Sequence, residues 1–144
     1  MITVDLQTFN KSREGGNVTG RIFLELQDGA FPENGWSDFP VIILGWWTDA
    51  LLQLMMPETR EVQWLFMDGP HSVVLTKTAD EISEAAFELS QVHGSLRDAA
   101  QLVVTYCDQR RLFSKDLDIL RDSVVRIKAN QPVLRTEARR VISR

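Results

Sequence analysis

The sequence predicts an α+β fold: an antiparallel sheet of four or five strands packed with one Trp-rich central helix and two C-terminal helices. Three observations carry this. Segments 2–9 and 21–27 alternate apolar and polar residues, the pattern of half-buried strands. The run Trp36–Met56 holds three of the four tryptophans and more apolar residues than one helix face can hide. Beyond residue 95 the apolar spacing becomes helical, and the element order lacks the regular βα alternation of a doubly wound sheet.

In the first strand Ile2, Val4 and Leu6 alternate with Thr3, Asp5 and Gln7, and in the second Ile22, Leu24 and Leu26 alternate with Phe23, Glu25 and Gln27. The polar stretch 10–17, with Gly15 and Gly16, makes the pair a hairpin with a long loop. Asp28-Gly29 closes the second strand, and Pro32-Glu33-Asn34-Gly35 turns the chain. Asp38 is placed to cap a helix over Phe39–Met55, with Pro40 in the first turn, where its missing N–H costs nothing. That helix is about 26 Å long. On its wheel Phe39, Ile43, Leu44, Trp46, Trp47, Ala50, Leu51, Leu54 and Met55 take half the circumference. Val41, Ile42, Leu52 and Met56 share the other half with Gly45, Thr48, Asp49 and Gln53. A helix apolar on both sides belongs between two layers or at an interface. Trp46 and Trp47 stand about 100° apart, so at least one lies at a margin.

Pro57–Arg60 ends the helix, and the apolar runs Glu61–Met67 and Ser72–Thr78 flank the turn Asp68-Gly69-Pro70 as a second hairpin. Segment 81–92 fits two patterns. Ile82, Ala85, Ala86 and Leu89 are spaced for a helix capped by Asp80; Phe87 and Leu89 alternating with Glu88 and Ser90 suit a fifth strand. The strand is favoured, because a helix start is marked just beyond His93-Gly94, at Ser95 with Asp98 three residues on. Leu96, Ala99, Ala100, Val103 and Cys107 form that helix's buried stripe. Ser114 caps the last helix, which is acidic at Asp116 and Asp118 and basic at Arg126 and Lys128, as the macrodipole favours. Its stripe is Leu117, Leu120, Val124 and Ile127, and Asn130-Gln131-Pro132 breaks it. Residues 1–131 read as a single α+β domain, and 132–144 as a basic tail able to form a short docked helix.

A chain of 144 residues can bury a core without staples, and the lone Cys107 excludes an internal disulfide. Met1–Leu6 lacks the basic region of a signal peptide, and Thr48, Asp49 and Gln53 interrupt the one strongly apolar window, so a cytoplasmic protein is expected. The net charge of −4 is unevenly spread: residues 1–96 carry five Lys/Arg against fourteen Asp/Glu, residues 97–144 eleven against six. Acidic strands and loops facing basic C-terminal helices account for this, and an acidic patch for a basic partner is the sharper reading.

Chemistry is sparse. His71 and His93 both fall in predicted turns, and with Asp68 they sketch the pocket of a small enzyme, but two turn histidines without paired spacing are ordinarily surface residues. Gly15-Gly16 precedes a strand and not a helix, so no phosphate loop is implied. Cys107 sits on an apolar stripe toward a helix C-terminus, the setting of a structural thiol. The carboxylate pairs Glu84/Glu88 and Asp116/Asp118 read as solubilising, and Ser37 and Ser72 lack a nucleophile context. No catalytic residue, metal or cofactor is expected. Tryptophan is enriched at interface hot spots, so the expected function is a non-catalytic protein-binding module, immunity-like or chaperone-like in size and charge. Its partner-binding residues are Trp36, Asp38, Trp46, Trp47 and Asp49, and its partner a basic protein or a second copy of the chain. Neither membrane nor nucleic acid is expected, although Arg126, Lys128, Arg135, Arg139 and Arg140 would serve a nucleic-acid-linked regulator.

Overall fold

The computed structural model describes residues 1–11, 16–78, 81–82 and 87–132. Among the described residues two antiparallel sheets and three helices make up the α+β architecture, with the antiparallel strands divided four and four. Strands β1 (Ile2–Lys11) and β2 (Val18–Leu26) form the predicted hairpin, paired from Ile2↔Leu24 to Asp5↔Arg21, with an irregularity between Asp5 and Asn10. Gly20 is required in β2 because a Cβ there would come within 2.3 Å of the Phe9 ring. Phe9 in turn meets Tyr106 edge to face at 5.6 Å.

Two short strands that the turn signals concealed, β3 (Gly29–Phe31) and β4 (Ser37–Asp38), share the other edge of β2. Neither is long enough to show alternation. Helix α1 (Pro40–Leu54) starts with Pro40 in the first turn as predicted. Its N-cap is Phe39 and not Asp38, and no side chain caps it. The Asp38 carboxylate is bonded elsewhere, as described below.

Helix α1 is the hub of the fold: it touches β2, β5, α2 and α3. Ile43, Leu44, Trp47, Leu51 and Leu54 are buried on one apolar side and Val41 on the other, where Ile42 and Leu52 are half-buried and Met56 exposed, so the chain's own layers cover the first side more fully than the second. Strands β5 (Glu61–Leu65) and β6 (Ser72–Thr78) form the second predicted hairpin, in register Glu61↔Thr76 to Leu65↔Ser72. Trp64, on the inner face of β5, stacks on Trp47 with centroids 4.9 Å apart and planes 6° from parallel. That stack welds the hairpin to α1.

Of segment 81–92, residues 81–82 and 87–88 are strand and 89–92 helix, and 83–86, with Ala85 and Ala86, lie outside the described residues. The end of β6 pairs with β7 (Glu81–Ile82), β7 pairs with β8 (Phe87–Glu88), and α2 (Leu89–Gln109) follows at once. Glu84 lies outside the described residues. The helix thus starts at Leu89 and not at Ser95, because Glu88 and Gln91 supply the capping box. Ser95 sits inside the helix, where its Oγ accepts the Ile2 N–H at 3.0 Å and ties β1 to α2. The predicted stripe Leu96, Ala99, Ala100, Val103 and Cys107 is buried.

Helix α2 ends in a Schellman arrangement. Leu112 N–H donates to Cys107 O at 2.8 Å and Arg111 N–H to Asp108 O at 3.2 Å, with Arg111 at φ 55° where glycine is usual. Helix α3 (Lys115–Ala129) is capped by Ser114, whose Oγ accepts Leu117 N–H at 3.1 Å, and buries its predicted stripe. An Arg121–Asp108 fork, at 2.7 and 2.8 Å, clamps α3 to α2. The tail from residue 133, with Arg135, Arg139 and Arg140, lies outside the described residues.

Candidate functional site

Burial on α1 leaves one exposed stripe. Trp46, Asp49, Gln53 and Met56 follow one another at three- and four-residue steps and so line one side of the helix and its end. Beside it, the period-two alternation of β5 turns Val62 and Trp64 inward and Glu61, Gln63 and Leu65 outward. A groove of about 710 Å³ runs between the two, lined by Trp46, Asp49, Gln53, Met56, Gln63 and Leu65, with Arg126 of α3 at its side. A second recess of about 440 Å³ shares Trp46, Gln63 and Leu65 and continues over Met67, Pro70 and His71.

Four large apolar side chains stand exposed on this face: Trp46 (43%), Met56 (50%), Leu65 (44%) and Met67 (44%). The polar atoms around them are mostly committed. Arg126 Nη2 donates to Asp49 Oδ1 at 2.6 Å and Nε to Asp122 at 3.2 Å, and Gln63 Nε2 donates to Ser72 Oγ at 3.0 Å. The hydrogen bond to Asp49 raises the Arg126 guanidinium further above its ordinary value. Glu58, Glu61 and Asp68 are exposed and take no part in the ion pairs among the described residues; Arg60 adjoins Glu61, and Lys77 Nζ donates to Leu54 O and Met56 O at the end of α1.

The five residues predicted to bind a partner divide into two groups. Trp46 and Asp49 lie on the groove. Trp47 is fully buried against Trp64 and Phe66 and donates its Nε1–H to Leu65 O at 2.8 Å, so its part is to position β5. Asp38 is buried and works as a connector. Its Oδ1 accepts the N–H groups of Phe39 (2.8 Å) and Met67 (3.2 Å), and its Oδ2 those of Asp68 (3.2 Å) and Trp36 Nε1 (2.9 Å). Trp36, half-buried, is thereby fixed with its ring edge-on to His71 at 4.9 Å and above Gly69, whose φ of 90° shapes the turn. Leu65, Met67 and Met56 complete the face. Leu65 and Met67 lay in the apolar run Glu61–Met67 and Met56 at the end of the run of α1, but periodicity by itself did not say which row would lie outside.

The histidine pocket does not assemble. His71 lies in the 66–71 turn against Trp36 and Phe31, whereas His93 is inside α2 and buried, contrary to the predicted turn position. Helix α2 starts early enough to carry His93 inward, and its Nε2–H donates to Ile127 O (3.0 Å) and Asn130 O (2.8 Å), closing carbonyls at the end of α3. Two acceptors on Nε2 require the proton there. Cys107 is buried, and burial, reinforced by Asp108, pushes its thiol up to about 11. Among the described residues no cluster of three His, Cys, Asp or Glu could hold a metal, and no helix is long and apolar enough to cross a membrane. Of the basic residues considered for nucleic acid, Arg126 is tied to Asp49 and Asp122, and Lys128 donates to Gln101.

Comparison with known protein families, with curated proteins and with solved structures finds no match.

Proposed function

We propose that the chain is a non-catalytic protein-binding module, immunity-like or chaperone-like, that engages a basic partner in the cytoplasm through the face centred on Trp46. The observation that carries the reading is the gathering of Trp46, Met56, Leu65 and Met67 on one continuous surface between α1, β5 and the 66–71 turn. Tryptophan anchors and adaptable methionines ringed by polar groups are what a partner surface requires. The exposed acids Glu58, Glu61 and Asp68 supply the electrostatic complement for a basic protein.

The test is a photo-crosslinker at Gln53, applied in the cells that make the protein, in the wild-type background and with Trp46→Asp. One discrete crosslinked protein that disappears with Trp46→Asp is the expected result. No crosslink, or a crosslink indifferent to that substitution, overturns the reading.

A further inference from the structure

We propose that the outer edge of β5 takes up an extended segment of the partner protein as an added strand, seated in the groove between β5 and α1. This rests on the protein-binding reading and names its mode and the chemistry of the segment.

The phase of the β5–β6 ladder fixes where the backbone of β5 points. Phe66 N–H donates to His71 O at 3.0 Å and Lys77 N–H to Arg60 O at 2.8 Å. Hydrogen-bonded pairs alternate with non-bonded ones in an antiparallel ladder, so Val62↔Leu75 and Trp64↔Val73 are bonded pairs and direct their backbone toward β6. Glu61, Gln63 and Leu65 direct theirs to the other edge. There the Leu65 carbonyl receives Trp47 Nε1–H at 2.8 Å. The N–H groups of Glu61, Gln63 and Leu65, and the carbonyls of Glu61 and Gln63, have no partner among the described residues.

Edge strands are usually blunted by proline, a bulge or a cover; β5 pairs with β6 in unbroken register and contains no proline, and Trp47 of α1 covers the edge at the Leu65 carbonyl. The groove beside it is walled on the far side by α1, so an entering strand meets donors and acceptors on one flank and Trp46 and Met56 on the other. Strand addition draws affinity from the main chain and specificity from alternate side chains. Here those side chains are apolar beside Trp46, Met56 and Leu65, and Lys or Arg beside Glu58 and Glu61. A second copy of β5, paired about Gln63, would set Glu61 against Leu65 and place its adjoining cation, Arg60, opposite Phe66.

The experiment is amide hydrogen exchange by NMR on the full chain. The probe is a blocked heptapeptide with lysine where it runs beside Glu58 and Glu61 and valine where it runs beside Leu65, and its control is a twin N-methylated along one edge. In the free chain the Glu61, Gln63 and Leu65 amides exchange at least about tenfold faster than those of Val62 and Trp64, and the peptide slows the three by about tenfold. The twin binds about fivefold more weakly for each hydrogen bond lost. Gln63→Pro, which removes an outward N–H and the side-chain bond to Ser72 Oγ but no backbone bond of the β5–β6 ladder, abolishes the peptide effect while Val62 and Trp64 stay protected. If that variant misfolds, the twin still decides. Protection of the three amides in the free chain overturns the proposal, since it would mean that the chain or a second copy already covers the edge. Equal binding of the twin, or no protection by the peptide, overturns it as well. None of these touches the Gln53 crosslink, so failure of the mode is distinguishable from failure of the protein-binding reading.

Discussion

Replacing Asp38 with asparagine exchanges one oxygen for an NH₂ at a buried carboxylate that joins three parts of the fold: β4, the start of α1 and the 66–71 turn. The carboxylate accepts four N–H groups, two on each oxygen. An amide retains one acceptor and turns a donor toward two of those N–H groups, whichever way it is flipped. Two hydrogen bonds to a charged group at about 1.5 kcal/mol each give a loss of about 3 kcal/mol for Asp38→Asn. Asp38→Ala removes all four acceptors, but water reaches some of the partly buried donors, and the cost is about 4–5 kcal/mol. At about 3 °C per kcal/mol the melting temperature falls by about 10 °C for asparagine and about 14 °C for alanine. Urea unfolding followed by tryptophan fluorescence measures this, with the midpoint falling and the slope unchanged. Asparagine costing less than about 1 kcal/mol would refute the reasoning, since the four donors would then be satisfied without the carboxylate.

Trp47→Phe costs about 1 kcal/mol more than Trp64→Phe by chemical denaturation, because Trp47 Nε1 donates to Leu65 O whereas Trp64 Nε1 is buried without a partner among the described residues. Arg111→Gly raises stability by about 0.5–1 kcal/mol, since φ 55° strains any residue with a Cβ; a loss of stability would contradict the assigned C-cap. Cys107 is inert to Ellman's reagent at pH 8 until the protein unfolds. Because the folded thiol keeps its proton up to about 11 against the ordinary 9.0, the stability it contributes is whole below pH 9 and is lost as the pH rises toward 11. Denaturation midpoints at pH 8 and pH 10.5 show this extra loss in the wild type and not in Cys107→Ala.

Strands β1, β2, β5 and β6 and all three helices were legible because each is long enough for its apolar period to repeat. Strands β3 and β4, of three and two residues, were hidden beneath turn residues whose conformations they share with loops. The start of α2 was misplaced because His93-Gly94 reads locally as a break. Burial of Val92 and His93, together with the bond from His93 to the end of α3, outweighs the cost of a helical glycine of about 1 kcal/mol. At the candidate groove, the surplus apolar surface of α1 singled out Trp46, and Asp49 stands beside it there. Asp38 was read as the N-cap of α1, because an aspartate before a helix takes that place unless donors arrive from a distant segment, as those of Met67 and Asp68 do here.

What the sequence by itself determined is the longer elements, β1, β2, β5, β6 and the helices, and the location of the apolar surplus: period, caps and breakers act over a few residues and are written locally. Which part of that surplus stays exposed was decided by the tertiary structure alone. The Trp47–Trp64 stack and the packing of α2 and α3 cover α1 on both sides. Trp46 and Met56 remain uncovered beside the outward row of β5, because a helix with apolar residues all round has more surface than its neighbours can bury.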